Sequence, residues 1–191
     1  MKKNYKSTVN ACFAGYVVQA IVNNFVPLLF LTFNKSYGIE LSKITALITV
    51  NFILQLIIDL LSAFFIDKIG YRAAAVAAHV FAAAGLVSLT VLPDILPSPF
   101  VGLLISVVLY AVGGGLLEVI VSPIVEACPT DNKEKMMSLL HSFYCWGSVA
   151  VVGISTLYFS IFTTANWKYL ALIWAVVPIV NALNFIRVPI A

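Results

Sequence analysis

Long apolar runs almost free of charge follow one another along the chain, separated by short polar breaks. They predict helices at about residues 8–33, 44–66, 73–92, 99–126, 135–162 and 168–187. Each run meets or exceeds the roughly 20 residues a helix needs to cross a hydrocarbon core of about 30 Å. The runs are about twice too long for barrel strands and do not alternate in polarity, which excludes a membrane β-barrel. The breaks have explicit chemistry. Asn34-Lys35-Ser36-Tyr37-Gly38 is expected to end the first helix, and Ser42 to cap the second. Asp67-Lys68-Ile69-Gly70-Tyr71-Arg72 reads as a tight turn, and Pro93 through Pro99 as a break imposed by proline. Pro129-Thr130-Asp131-Asn132 and Thr163-Thr164-Ala165-Asn166 are the remaining breaks. Lys2, Lys3 and Lys6 before an apolar run resemble a signal peptide, but the run is too long and no small-residue cleavage site follows it.

Composition explains why these helices need a solvent other than water. Of 191 residues, 62% are hydrophobic and 10% charged, against about half and about a quarter in ordinary globular domains. A soluble enzyme, a disordered tail and a nucleic-acid binder are excluded on that ground. The expected fold is an all-α membrane protein, with residues 1–191 forming one six-helix transmembrane bundle. With the N-terminus inside, Lys2, Lys3, Lys6, Lys68, Arg72, Lys133, Lys135 and Arg187 lie on the cytoplasmic side. Only Lys35, Lys43 and Lys168 fall outside, so both termini are expected in the cytoplasm. The net charge of +3 is then a topology signal, with no nucleic-acid partner implied. Cys12, Cys128 and Cys145 have no disulfide or metal spacing and read as packing thiols. Asn34-Lys35-Ser36 is a glycosylation triplet too common to decide anything.

Polar residues inside a membrane are costly and therefore carry the candidate chemistry. Asn51, Gln55 and Asp59 recur at steps of four, so one face of the second helix looks into the protein or a water-filled cavity. Cavity lining and interhelical hydrogen bonding both satisfy that face. Glu118 lies two turns inside the fourth helix, after Gly113-Gly114-Gly115, while Glu126 sits at its cytoplasmic edge. A carboxyl that hydrocarbon favours neutral and water favours charged has the property proton coupling requires. His141 lies about two turns into the antiparallel fifth helix, at a depth comparable to Glu118, where the pair could share a proton. Asn23 and Asn24, followed by Pro27, offer the donors and acceptors that sugar hydroxyls match, or serve as helix glue. Tyr144 and Trp146, near His141, could stack on a sugar ring or pack. Trp167 reads as an interfacial anchor and His79 as a packing residue. The glycine triplet and the alanine-rich third helix allow close helix approach.

Asp67, Lys68, Gly70 and Arg72 resemble the signature loop between the second and third helices of the major facilitator superfamily, Gly-x-x-x-Asp-Arg-x-Gly-Arg-Arg. Asp67, Gly70 and Arg72 match; Lys68 replaces an arginine, Ala63 the first glycine, and Tyr71 breaks the penultimate basic position. Gly114-Gly115-Leu116-Leu117-Glu118, Pro123 and Leu140-His141-Ser142-Phe143-Tyr144-Cys145-Trp146-Gly147 look like the fucose-permease branch of sugar–proton symporters. The resemblance implies the N-terminal half of a twelve-helix transporter, built of two inverted three-helix repeats with the solute held between halves. It implies proton coupling by Glu118 with Asp59 or His141, and solute contacts from Asn23, Asn24, Asn51 and Gln55. Asn24 stands where that branch can carry an aspartate, so a second coupling carboxyl is missing or moved to Asp59. The 67–72 loop would latch the cytoplasmic gate. Expected partners are a sugar-like solute, protons, the lipid bilayer of a bacterial inner membrane, and a C-terminal half or a second copy; no cofactor or metal is expected.

Two other classes draw on the same residues. An intramembrane serine hydrolase would need His141 to reach Ser155, fourteen residues along the same helix and about 21 Å away at helical rise. A stand-alone six-helix protein, acting as a homodimer or a non-transporting subunit, remains the alternative to half a transporter.

Overall fold

The computed structural model describes residues 5–130 and 132–190, and within them all regular structure is helical. Lys2, Lys3 and Asp131, used above for topology and for the fourth break, lie outside the described residues. Among the described residues six helices are long and apolar enough to cross a membrane. We number them α1 (Lys6–Tyr37), α2 (Leu41–Ile69), α3 (Tyr71–Ile95), α4 (Pro99–Ala127), α5 (Lys133–Phe162) and α6 (Trp167–Arg187).

Local chemistry sets where these helices bend and stop. α1 is α-helical over Lys6–Asn24, tightens to a 3-10 turn over Val26–Leu29 and resumes over Phe30–Tyr37. Pro27 has no N–H to give the carbonyl four residues back, so the chain closes a shorter loop, Leu28 N–H to Phe25 O at 3.1 Å. α1 continues past Asn34 and stops at Gly38, whose φ of +64 gives a left-handed end. Asn34 joins that stop by donating to Ile39 O at 2.8 Å. Ser42 does not cap α2: its hydroxyl donates to the Glu40 carboxylate at 3.3 Å, and the N-cap position is Glu40. α3 does not break at Pro93 either, because Leu96 N–H donates to Leu92 O and carries the last turn to Ile95. Asn132 caps α5, its side-chain oxygen accepting from Lys135 N–H at 2.8 Å.

The packing partners come in matched pairs. α1 lies against α5 as α4 lies against α2; α3 against α4 as α6 against α1; and α1 meets α4 while α3 meets α6. Exchanging α1 with α4, α2 with α5 and α3 with α6 reproduces the whole set, as two three-helix repeats related by a two-fold operation require. Close approach at the centre depends on glycine. A Cβ on Gly113 would stand 2.6 Å from the Ala78 carbonyl and the Ala82 nitrogen on α3, and one on Gly115 2.9 Å from Ile58 on α2.

Polar ties fasten the two ends and the middle. At one end Arg72 donates to the carbonyls of Phe185 and Ile186, both at 2.7 Å, and so caps the C-terminus of α6. At the other end Tyr37 donates to Asp94 at 2.9 Å, and Lys168 pairs with the same carboxylate. Between them the fully buried His79 binds Ala75 O at 2.7 Å through Nδ1 and Asn181 Nδ2 at 2.8 Å through Nε2, while Asn181 also donates to Ala11 O. His79 is thus a pin between α3, α6 and α1. In the hydrophobic windows of α2 and α5 only 22% and 17% is buried, against 44% or more in the other helices. These two helices present the open side of the bundle.

Candidate functional site

α1, α2, α4 and α5 enclose a cavity of about 390 Å³ lined by Tyr16, Gln19, Asn23, Gln55, Asp59, Glu118, His141 and Tyr144, with Phe52 and Leu56 at its rim. Its position follows from the glycine contacts: Gly114 and Gly115 seat α4 directly on Gln55 of α2. α4 then holds Glu118 within reach of α1, and α1 carries Tyr16, Gln19 and Asn23 at steps of three and four, on one face.

Asn23 is the hub of the polar wall. Its side-chain oxygen accepts from Gln55 Nε2 at 2.7 Å and from Asn51 Nδ2 at 3.2 Å, and its Nδ2 donates to Tyr144 Oη at 3.3 Å. Gln55 Nε2 gives its second hydrogen to Asn51 Oδ1 at 2.9 Å. Three helices are thereby joined through side-chain amides whose donors are largely used, which orients them before any solute arrives. The opposite wall is ionisable. Glu118 accepts from Gln19 Nε2 at 3.2 Å and shares the cavity with Asp59. The side chains of Glu118, Asp59 and His141 are all exposed to the cavity, so Glu118 is not sealed in hydrocarbon but faces open space. Tyr16 donates to or accepts from Ser122 at 3.0 Å and stacks obliquely against His141, with ring centroids 5.6 Å apart. Tyr144 meets Tyr16 edge-on at 6.3 Å.

Of the residues expected here, the fold brings together Asn23, Gln55, Asp59, Glu118, His141 and Tyr144. Asn51 stands behind them, 4% exposed, as a support for Gln55. Asn24 faces the α1–α5 seam instead, donating to Ala20 O at 2.8 Å and to Ser148 at 3.1 Å. It ties α1 to α5 there, and the two adjacent asparagines part because successive helical positions point about 100° apart. Trp146 is turned out of the bundle and 74% exposed, so it offers the cavity no stacking surface. Tyr16 and Gln19 were missed by sequence reasoning. The signal that could have found them is their spacing of four and seven residues before Asn23 on a helix already suspected of lining a cavity. Asp67 and Lys68 are exposed in the last turn of α2 and Arg72 lies in the first turn of α3, so the expected loop narrows to Gly70, whose φ of +82 is a conformation a side chain strains. Ser155, the serine a hydrolase would use as its nucleophile, is fully buried and accepts from Trp174 Nε1 at 3.1 Å. Among the described residues no group of three His, Cys, Asp or Glu is placed to hold a metal ion.

Such a cavity can do two things chemically. Its amides and phenols match hydroxyl groups, which both donate and accept. Its two carboxyls and one imidazole can take up and release protons beside whatever the amides hold.

A family model described as Major Facilitator Superfamily matches residues 11–190 of the chain. The fold is similar to that of the xylose transporter XylE from E. coli in its inward-open conformation, with a TM-score of 0.85 and 15% identity over 98% of this chain and 49% of that one. It is also similar to a D-xylose–proton symporter, with a TM-score of 0.80 and 15% identity over 96% of this chain and 48% of that one. The chain therefore spans about half the length of each. None of the curated proteins matches it in sequence.

Proposed function

The chain belongs to the Major Facilitator Superfamily, and from that premise we propose that it is the N-terminal half of a secondary transporter working by alternating access. On this reading the complete protein is a proton-coupled symporter of a sugar or a similar small polar solute, in the fucose-permease-like branch. It sits in a bacterial inner membrane with both ends of this half in the cytoplasm. One observation carries the proposal: a single cavity sets the Asn23–Gln55–Tyr144 amide and phenol wall against Glu118, Asp59 and His141. Solute hydroxyls bond to the first wall while the second exchanges the coupling proton.

The half-length match to solved transporters and the sparse burial of α2 and α5 support a second six-helix bundle closing the cavity from that side. Asp67 and Lys68, exposed at the turn before α3, then meet that bundle, and Arg72 steadies the turn against α6. Movement of the two bundles about the solute exposes it to one side of the membrane and then the other.

The test uses the complete protein in liposomes, with D-xylose, L-fucose and other labelled monosaccharides as probes. Glu118→Gln is expected to abolish uptake driven by a proton gradient while sparing solute counterflow, which needs no net proton movement. Proton-driven uptake at the wild-type level would remove Glu118 from the coupling mechanism. Failure of every probe to be taken up would remove the sugar class.

A further inference from the structure

We propose that Gln19 is the amphoteric partner of Glu118, a positioning residue whose amide ties the carboxyl to α1 in both of its protonation states. The inference rests on the reading of Glu118 as the proton-coupling group and says how the fold holds that group through its cycle.

Gln19 lies on α1, only 5% exposed, and its Nε2 donates to Glu118 Oε2 at 3.2 Å across the α1–α4 contact. Its Oε1 is buried with no hydrogen-bond partner among the described residues. Buried polar atoms are nearly always satisfied, so an orphan acceptor beside a functional carboxyl calls for a reason. The chemistry of the two groups supplies one. An ionised carboxylate only accepts hydrogen bonds, whereas a protonated one also donates. A primary amide donates at one end and accepts at the other, and its terminal torsion is soft and roughly two-fold. The orientation present here, Nε2 toward the carboxyl, suits the ionised form. Protonation of Glu118 followed by a half-turn of the amide brings the orphan Oε1 round to accept from the new hydroxyl. The orphan atom is thus the acceptor held in reserve for the other protonation state. A lysine at this position would hold only the ionised form, and a leucine neither.

The remaining titratable groups around Glu118 do not offer this. Asp59 faces it from α2, and a carboxylate there only accepts hydrogen bonds. Tyr16 on α1 is engaged with Ser122, and His141 and Tyr144 face it from α5 across the open cavity. His79 on α3 is committed to Ala75 and Asn181.

The probe is the carboxyl C=O stretch of the complete protein in liposomes, followed against pH by infrared difference spectroscopy and assigned to Glu118 by its loss in Glu118→Gln. Gln19→Met keeps the length of the side chain but removes both donor and acceptor. The two losses act in opposite directions on the midpoint, so the reading is the band itself: the protonated Glu118, left without an acceptor for its hydroxyl, is expected to show its C=O stretch at higher wavenumber than in wild type. Gln19→Glu keeps the shape and places two carboxyls in contact, which are expected to titrate in two separated steps. It also carries the test if the methionine variant does not fold. A protonated C=O stretch at the wild-type wavenumber in Gln19→Met, or a single-step titration in Gln19→Glu, would overturn the role of Gln19. A wild-type protein with no titrating Glu118 band would instead overturn the proton-coupling reading on which the inference rests.

Discussion

Asn23 and Trp146 show how far single side chains can be read without coordinates. Both stand on apolar helices, both suit a sugar ligand, and only one reaches the cavity. The steps of four linking Asn51, Gln55 and Asp59 were legible because a polar stripe on a membrane helix must face inward. Trp146 was not, because an aromatic residue is at home in lipid, at an interface or in a site, and nothing in its spacing separates the three. Gln19 was passed over for the converse reason: a lone glutamine announces nothing until its partner on another helix is known. Side chains at the hub should matter more than their neighbours. Asn23→Ala removes three hydrogen bonds and leaves Gln55 and Tyr144 short of partners. It is expected to cost about 1–3 kcal/mol of stability and at least tenfold in solute affinity, read by thermal unfolding and by titration of the transported sugar. Trp146→Phe is expected to leave that affinity within about twofold. Equal losses in the two variants would show that Asn23 acts no closer to the solute than Trp146 does.

At the level of whole helices the sequence was most informative, since runs of this length and apolarity have few alternatives to crossing a bilayer. Their ends were less so. Pro93 reads as a stop, yet α3 runs through it, because a proline near the end of a helix forfeits one bond while the following turn still closes. Glycine was legible in kind but not in partner: Gly113 meets α3 whereas Gly115 meets α2, a division of labour that depends on the rotation of α4. A Cβ on Gly153 of α5 would meet nothing beyond its own helix within 4 Å among the described residues. Gly113→Val should therefore force α3 and α4 apart, with a loss of about 3 kcal/mol or more, while Gly153→Ala should be neutral or slightly stabilising. Thermal denaturation in one detergent checks both, and equal effects would mean that the close α3–α4 approach is not what holds the site together.

For the molecule as a whole, the six crossings and the loop at residues 67–72 carried the architecture, while the pairing of helices could not be read from periodicity because lipid and protein are equally apolar neighbours. That pairing has a consequence for how the chain is made. The main contacts run between the repeats, α1 to α5, α4 to α2 and α3 to both α4 and α6, so neither set of three owns a finished interior. Residues 1–95, expressed alone, are expected to insert but to remain open to protease, and to become resistant when residues 96–191 are supplied in trans. Resistance of the first fragment by itself would show that a repeat folds independently. The first three helices must then wait in the lipid, individually stable yet mutually unassembled, until synthesis delivers the fourth and fifth. An odd number of crossings per repeat puts that second set into the bilayer upside down with no further instruction, so the parity of the count alone turns a tandem copy into a complementary one.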